Sequence, residues 1–465
     1  MRTVPSENAL CAGPVVIDPR SGLPLREVTL LPRSAVSGLA EGAAQGFRTW
    51  SRLPVAERGR RLRLMADTWE QAAGESARSY SNEHGKTLAE ASAELNRAVE
   101  TIRWNAVSAE AALSPRSLPE TAAMARTLRL EPIGPVLAFV PWNFPAVIAA
   151  RKVAAALAMG CSVTVQASER TPEVLAGMQR AARAADIPAG VLDVVHAAAP
   201  IAAELVRRPE YKLISFTGST RVGRLIAGQA SGQLTPCVLE LGGHAPAIVT
   251  DSADLALSAR VLAAAKHECA GQSCGAPSRL LVHHSRYDEF VRAYLERVPT
   301  TERADPANGT MGPLNNAAQL AQVHALVQHG IERGGRALCG GNPEAGPGYY
   351  YPATLLAELP ADAAALHEEP FGPLATIQAY ESDEQAIALA NSTAYGLNAY
   401  VFGTGERAQL LARELNAGVV TLNAAVGAAA DAPLGGRDGS GYGCEGGMAG
   451  LAQFAKHKLV QAATG

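Results

Sequence analysis

Val136-Leu137-Ala138-Phe139-Val140 is an unbroken apolar run closed by Pro141. A run without polar alternation reads as a strand buried on both faces, which is the habit of a parallel sheet. It is the first of five largely apolar runs, the others being Cys161–Val165, Val191–Val195, Leu213–Phe216 and Val238–Leu241. Between them lie Ala/Leu/Arg stretches with helical spacing. Strand and helix in alternation predict βαβ units and an α/β fold. After Glu240 the alternation restarts with Ala247–Val249, Leu280–Val282, Leu374–Ile377, Ala399–Phe402 and Val419–Leu422. A second α/β domain is the simplest reading.

Upstream of this region the texture differs. Val15 to Pro32 reads as short strands about the turn Asp18-Pro19-Arg20-Ser21-Gly22. Ala35 to Gly74 is helical and divided by Pro54, and a long Ala/Glu helix follows to about Leu113. Ser114 to Glu120, with two prolines, reads as a linker. Thr127 to Pro132 reads as an exposed strand, and Phe454 to Val460 as a strand leaving the body of the fold.

A chain of 465 residues is too long for one simple core. With 48% hydrophobic and 18% charged residues it has the composition of an ordinary globular protein. A net charge of −3 argues against nucleic acid or an anionic membrane as partner. No apolar window has the length of a membrane span, and the N-terminus carries no signal-like apolar segment. Seven irregularly spaced cysteines suit a reducing cytoplasm better than a disulfide framework. No His/Cys/Glu cluster has metal-ligand spacing: His267-Glu268 lacks the HExxH continuation.

Two stretches carry candidate chemistry. Cys269-Ala270-Gly271-Gln272-Ser273-Cys274 sets a thiol at the tip of a glycine-permitted loop. Val238-Leu239-Glu240-Leu241-Gly242-Gly243 ends an apolar run on a carboxylate with a flexible backbone behind it. A nucleophile and a base are what covalent catalysis requires. Taken alone, Cys274 reads equally as a buried inert thiol and Glu240 as a strand-end carboxylate.

With Pro141-Trp142-Asn143-Phe144-Pro145, these stretches resemble the aldehyde dehydrogenase superfamily almost end to end. The resemblance implies a Rossmann-type NAD domain (1–113 and 133–240), a thiol-bearing catalytic domain (241–430) and a small β oligomerisation arm (114–132 and 445–465). It implies oxidation of a small-molecule aldehyde through Cys274, with Glu240 activating water for thioester hydrolysis and Asn143 as oxyanion donor. For the cofactor it implies Trp142, Lys152, Gln166, Glu169, Gly218, Ser219, Glu369 and Phe371. Glu169 repels a 2′-phosphate and Gln166 replaces the lysine that attracts one, which favours NAD over NADP. The arm implies a homodimer or homotetramer in the cytoplasm.

Several positions depart from the family pattern. Cys269 replaces an asparagine and sets a second thiol near Cys274, where it could pair reversibly or be inert. His244 stands where lysine is frequent, and Ala247 where an asparagine often cradles the site. Arg151 stands where succinate-semialdehyde dehydrogenases carry a carboxylate-binding arginine, but Glu268 replaces their second arginine and could neutralise it. Ala424 to Asp431 supplies no serine. Glu445-Gly446-Gly447 resembles the C-terminal signature that shapes the substrate mouth. A semialdehyde dehydrogenase, a CoA-acylating enzyme, a thioesterase and a catalytically retired NAD-binding relative are the competing readings. A working nucleophile is expected to have a depressed thiol pKa.

Overall fold

The computed structural model describes residues 11–121, 124–301, 309–427 and 429–463. Val136–Val140 is the third strand of a six-stranded sheet, counted from the Leu192–Val195 edge. From that edge the order is Leu192–Val195, Val163–Ala167, Val136–Val140, Leu213–Thr217, Cys237–Glu240 and Gly441–Tyr442. All pairs are parallel except the last. Side chains along the central strand alternate: Val136, Ala138 and Val140 join one core cluster, Leu137 and Phe139 the other. The first cluster holds helices Val55–Gln71, Leu88–Leu113, Pro145–Met159 and Pro172–Ala184. Two-sided cover is why the sequence run contains no polar position.

Helix Pro145–Met159 follows the central strand directly, with proline in its first turn and Gly160 ending it at φ 96°. Helix Leu88–Leu113 opens with a reciprocal cap between Thr87 and Glu90. Helix Thr220–Ser231 is capped by Ser219, whose Oγ accepts from the Val222 N–H.

The predicted second α/β region is a seven-stranded sheet. Its order is Arg336–Cys339, Thr354–Ala357, Leu374–Tyr380, Pro277–His283, Ala245–Val249, Asn398–Phe402 and Val419–Leu422. The first two strands escaped the sequence reading. Arg336–Cys339 is a half-exposed antiparallel edge with no apolar run to mark it.

A third sheet pairs Ala455–Ala463 with Met124–Pro132 and that with Arg116–Thr121. Ser114 to Glu120 is therefore not a plain linker; Pro119 is tolerated because its strand lies at the sheet edge. The expected arm over 445–465 is also shorter than predicted. Gly447–Gln453 is a helix packed on the two long helices beneath it, and only Ala455–Ala463 enters the arm sheet. Just before it, the Gly-rich stretch near residue 440 returns to the first sheet and pairs beside Glu240. Among the described residues no helix is long and apolar enough to cross a membrane.

Candidate active site

Strand order in the six-stranded sheet reverses between Val136–Val140 and Leu213–Thr217. Their carboxyl ends diverge there, and such a switch point opens a crevice. A cavity of about 350 Å³ lies at that point, lined by Phe139, Gln166, Glu169, Phe216, Gly218 and Ser219 among others. It shares Pro141, Thr217, Gly218 and Ser219 with a second cavity of about 260 Å³ that reaches Trp142, Asn143, Cys274, Glu369 and Phe371. One groove thus runs from Glu169 to the thiol.

The groove suits a dinucleotide. Gln166 Oε1 and Thr217 Oγ1 are buried in its walls without a protein partner. The N-terminus of helix Thr220–Ser231 opens beside them, where backbone N–H groups favour an anion. Gln319 and Gln322 also line the inner cavity, and no motif in the sequence marks them.

The thiol sits on an unusual loop. Cys269, Ala270 and Gly271 take φ of 57°, 52° and 72° in succession. For the two non-glycine residues this costs about 1–2 kcal/mol each, so the surroundings must hold it. The Cys269 N–H donates to Glu90 Oε1 at 2.8 Å. Gln272 Nε2 donates to the Cys269 carbonyl at 2.9 Å, and Gln272 Oε1 accepts from the Asn315 N–H at 2.9 Å. A Cβ on Gly271 would lie 2.2 Å from the Gly372 carbonyl oxygen, and one on Gly243 would lie 2.2 Å from that of Cys274. The Gly-Gln and Gly-Gly pairs of the two motifs are therefore packing requirements of this loop.

Asn143 is buried beneath it, and its Nδ2 donates to the Gln272 carbonyl at 3.0 Å. A primary amide has a second N–H to give. Its own carbonyl accepts from Tyr80 Oη at 3.3 Å. Trp142 and Phe371 meet edge to face with centroids 5.7 Å apart across the cavity. Glu369 Oε1 accepts from the Gly243 N–H at 2.9 Å, and burial pushes its carboxyl up to about 7.

Glu240 ends the strand Cys237–Glu240, buried, with both carboxyl oxygens lacking a protein hydrogen bond. Burial holds its pKa well above the ordinary carboxylate value, and the negative charge of Glu445 adds to that. Lys152 and Arg151 pull the other way. Burial also pushes the Cys274 thiol up to about 12, with Glu369 and Glu240 contributing. The expected depressed thiol pKa is therefore not what this form of the protein has. Two carboxyl groups and a desolvated pocket both oppose a thiolate.

Three other expectations need correction, and one departure from the family pattern finds its place. Lys152 is not at the cofactor groove. Its ammonium is fully buried, paired with Glu445 and bonded to Ser215 Oγ at 2.9 Å. Glu445 is likewise an interior partner and does not shape a mouth: it is buried, bridges Leu434 through its backbone and accepts from Ser215 Oγ. Glu268 does not neutralise Arg151; it pairs with Arg97 at 3.0 Å. Ala247 cradles nothing, being a core residue between Leu280 and Tyr400 in the second sheet.

Arg151 is buried within electrostatic reach of Glu445, Glu240 and Cys274. Cys269 is a buried free thiol whose sulfur faces His84 Nε2 at 3.6 Å and the Asn143 carbonyl at 3.7 Å. Glu169 and Gln166 face the outer groove, with His196 Nδ1 close by at 3.1 Å from the Ala167 carbonyl. His84, Glu90 and His196 escaped the sequence reading as site residues because nothing in their spacing distinguishes them from ordinary helix or loop positions.

A family model described as the aldehyde dehydrogenase family matches residues 12–460. The chain is 36% identical to a 4-(hydroxymethyl)benzenesulfonate dehydrogenase of Comamonas testosteroni, over 96% of this chain and 94% of that protein. It is 35% identical to a succinate-semialdehyde dehydrogenase of Paenarthrobacter nicotinovorans, over 92% and 96%. A solved succinate-semialdehyde dehydrogenase from Burkholderia pseudomallei superposes with a TM-score of 0.94 at 32% identity, covering all of both chains.

Proposed function

The chain belongs to the aldehyde dehydrogenase family, and from that premise we propose that it oxidises an anion-bearing aldehyde to its carboxylate through Cys274, with NAD as the preferred cofactor. Oxidation of an aldehyde with NAD(P) is the family's activity. The observation that carries the assignment to these residues is the single groove that leads from Glu169 past Gly218 to Cys274, with Asn143 beside the thiol.

The Cys274 thiol gives its proton to solvent, and the sulfur adds to the aldehyde carbon as a C–S bond forms and the carbonyl π pair moves to oxygen. The second N–H of Asn143 and the backbone N–H of Cys274 face the charge that develops there. Bound NAD(P)⁺ supplies the hydride acceptor. Loss of hydride leaves a thioester on Cys274. Glu240, in its carboxylate form, takes a proton from water, which attacks the thioester carbon; the C–S bond breaks and the acid leaves. Lys152 and Arg151 favour the charged form of Glu240, and Glu445 opposes it. Burial and Glu445 together outweigh the two cations, so this carboxylate is a stronger proton acceptor than an exposed glutamate. A CoA-acylating enzyme needs no such base, and a thioesterase needs no groove.

Glu369 and Phe371 are the candidates to hold the nicotinamide half of the cofactor, and Gln166, Glu169, Gly218 and Ser219 the adenosine and pyrophosphate. Two features support NAD over NADP: the Glu169 carboxylate repels a 2′-phosphate, and Gln166 offers no cation to attract one. An anionic substrate is supported by Arg151, buried near the thiol, and by relatives named for a sulfonate and a semialdehyde. The long arm edge Ala455–Ala463, with Leu459 and Val460 exposed, supports a homodimer or homotetramer. Free thiols at Cys161, Cys237, Cys269 and Cys274 suit the cytoplasm.

The test is NADH formation with 4-formylbenzoate, 4-formylbenzenesulfonate and succinic semialdehyde against benzaldehyde and hexanal. We expect kcat/KM at least about tenfold higher for the charged members, and a similar margin for NAD over NADP, each equal to roughly 1.4 kcal/mol. Preference for the neutral aldehydes would overturn the anionic assignment. Asn143→Ala is expected to lower kcat about 10²–10³-fold with little change in NAD affinity, as removal of one oxyanion donor does elsewhere.

A further inference from the structure

We propose that Arg97 is a second anion-binding arginine at the rim of this site, and that Glu268 is the resident carboxylate that an anionic aldehyde displaces from it. The proposal rests on the aldehyde-oxidising reading of Cys274 and names how the charged end of the substrate is recognised.

Arg97 projects from helix Leu88–Leu113, and Glu268 from the loop that leads into Cys274. Their contact, Nη2 to Oε1 at 3.0 Å, joins residues 171 positions apart in sequence. The two side chains are 40% and 41% exposed. A pair that open to solvent is worth only about 0–1 kcal/mol, so opening it costs little. Arg97 also has an unspent donor: its Nε is buried and lacks a protein partner. A guanidinium presents donors in a fixed fork that matches a carboxylate or sulfonate in two-point contact, whereas a single contact to Glu268 leaves the fork half used.

The surroundings point the same way. Arg151 is buried deeper, near enough to Cys274 and Glu240 to feel their charge, and Arg97 is near enough to oppose the charge on Arg151. The two guanidiniums, Arg151 within reach of the thiol and Arg97 beside the loop that leads to it, therefore repel each other, and an anion placed between them is attracted by both. Glu268 partly supplies that anion when no substrate is present. Once the charged end of an aldehyde arrives, the Glu268 carboxylate turns outward to water. The sequence departure at Glu268 thus does not abolish anion binding. It moves the second arginine to another element and adds a competitor.

The experiment measures kcat and KM separately for 4-formylbenzoate, 4-formylbenzenesulfonate and benzaldehyde in the wild type, Arg97→Met, Arg97→Lys and Glu268→Gln. It is paired with equilibrium binding of terephthalate and 4-sulfobenzoate. Arg97→Met should raise KM for both charged aldehydes about tenfold more than for benzaldehyde, and weaken binding of the two diacids to the same degree. Arg97→Lys should recover part of that loss. Glu268→Gln should tighten both diacids severalfold and lower KM for the charged aldehydes. A larger effect on the sulfonate than on the carboxylate identifies the class of anion. If Arg97→Met leaves the charged-to-neutral ratio and the diacid affinities unchanged, or Glu268→Gln weakens them, the proposal is overturned while turnover of benzaldehyde leaves the role of Cys274 intact. Failure of every aldehyde, with diacid affinities that do respond to Arg97, would instead overturn the reaction and keep the anion site.

Discussion

Cys274→Ala is expected to abolish aldehyde oxidation, lowering kcat by roughly 10⁴-fold or more, as loss of a covalent nucleophile does in other enzymes. Nothing else on the loop can replace it. Ser273 precedes it, but a hydroxyl has no base within its own hydrogen-bonding network. Cys269 lies on the far side of the turn with its sulfur toward His84. The alanine variant should still fold and bind NAD, because Cys274 is not a core residue and the loop is held by Gln272, Asn315 and Glu90.

The same thiol has a readable pH behaviour. With its pKa pushed up to about 12 by burial and by the Glu369 and Glu240 charges, little thiolate exists near neutral pH in the free protein. Alkylation of Cys274 by iodoacetamide should accelerate across pH 7–10 without reaching a plateau. Addition of NAD⁺, whose positive ring favours a thiolate beside it, should raise the rate at pH 7.5 by about tenfold, one pK unit or more. A plateau below pH 8 in the free protein would contradict the electrostatics described for this pocket.

Glu240→Gln is expected to divide the reaction in two. Formation of the thioester needs no base to activate water, so the variant should release a rapid burst of NADH close to one equivalent per active site. Steady turnover should then fall about 10²–10⁴-fold, the usual worth of general base catalysis. Wild-type kcat should decline on the acid side with an apparent pKa well above the ordinary carboxylate value, since burial and Glu445 both raise Glu240. That acid limb should vanish in the variant.

Stability follows the same linkage with a definite sign. A carboxyl whose folded pKa is raised favours the fold in its neutral form; the contribution is complete below the unfolded pKa and is lost as pH rises through the folded one. Glutamine keeps the neutral shape, so the variant should match the wild type in thermal melts at about pH 4, at or below the unfolded carboxyl pKa, and exceed it at pH 8. A variant that shows no burst, or melts lower at pH 8, would remove Glu240 from the role assigned to it.

Most strands buried on both faces were legible in the sequence, because burial there removes polar residues and leaves runs such as Val136–Val140 and Ala247–Val249; the buried strand Thr354–Ala357, only 4 residues long, was not. Two edge strands were not legible either. Arg336–Cys339 and Arg116–Thr121 are half solvated, so their composition matches that of loops. The motifs around Cys274, Glu240 and Asn143 were legible by resemblance, and the glycines in them have a local steric cause that the loop geometry makes explicit.

What sequence alone determined about this protein is its family and its α/β class, with Cys274 and Asn143 among the residues it singled out that line one groove. Which charges face one another was decided only by tertiary structure. Lys152 neighbours Arg151 in the chain, and both end beside Glu445, which lies 293 positions from Lys152 in sequence: Lys152 pairs with it, and Arg151 lies within electrostatic reach of it, of Glu240 and of Cys274. Arg97 and Glu268 are brought together by packing of the long helix Leu88–Leu113 against the thiol loop. The pKa of Cys274 depends on its burial and on the charges of Glu369 and Glu240, groups distant from it in sequence. Electrostatic energy depends on distances and burial that the fold creates, and no local pattern of residues encodes them.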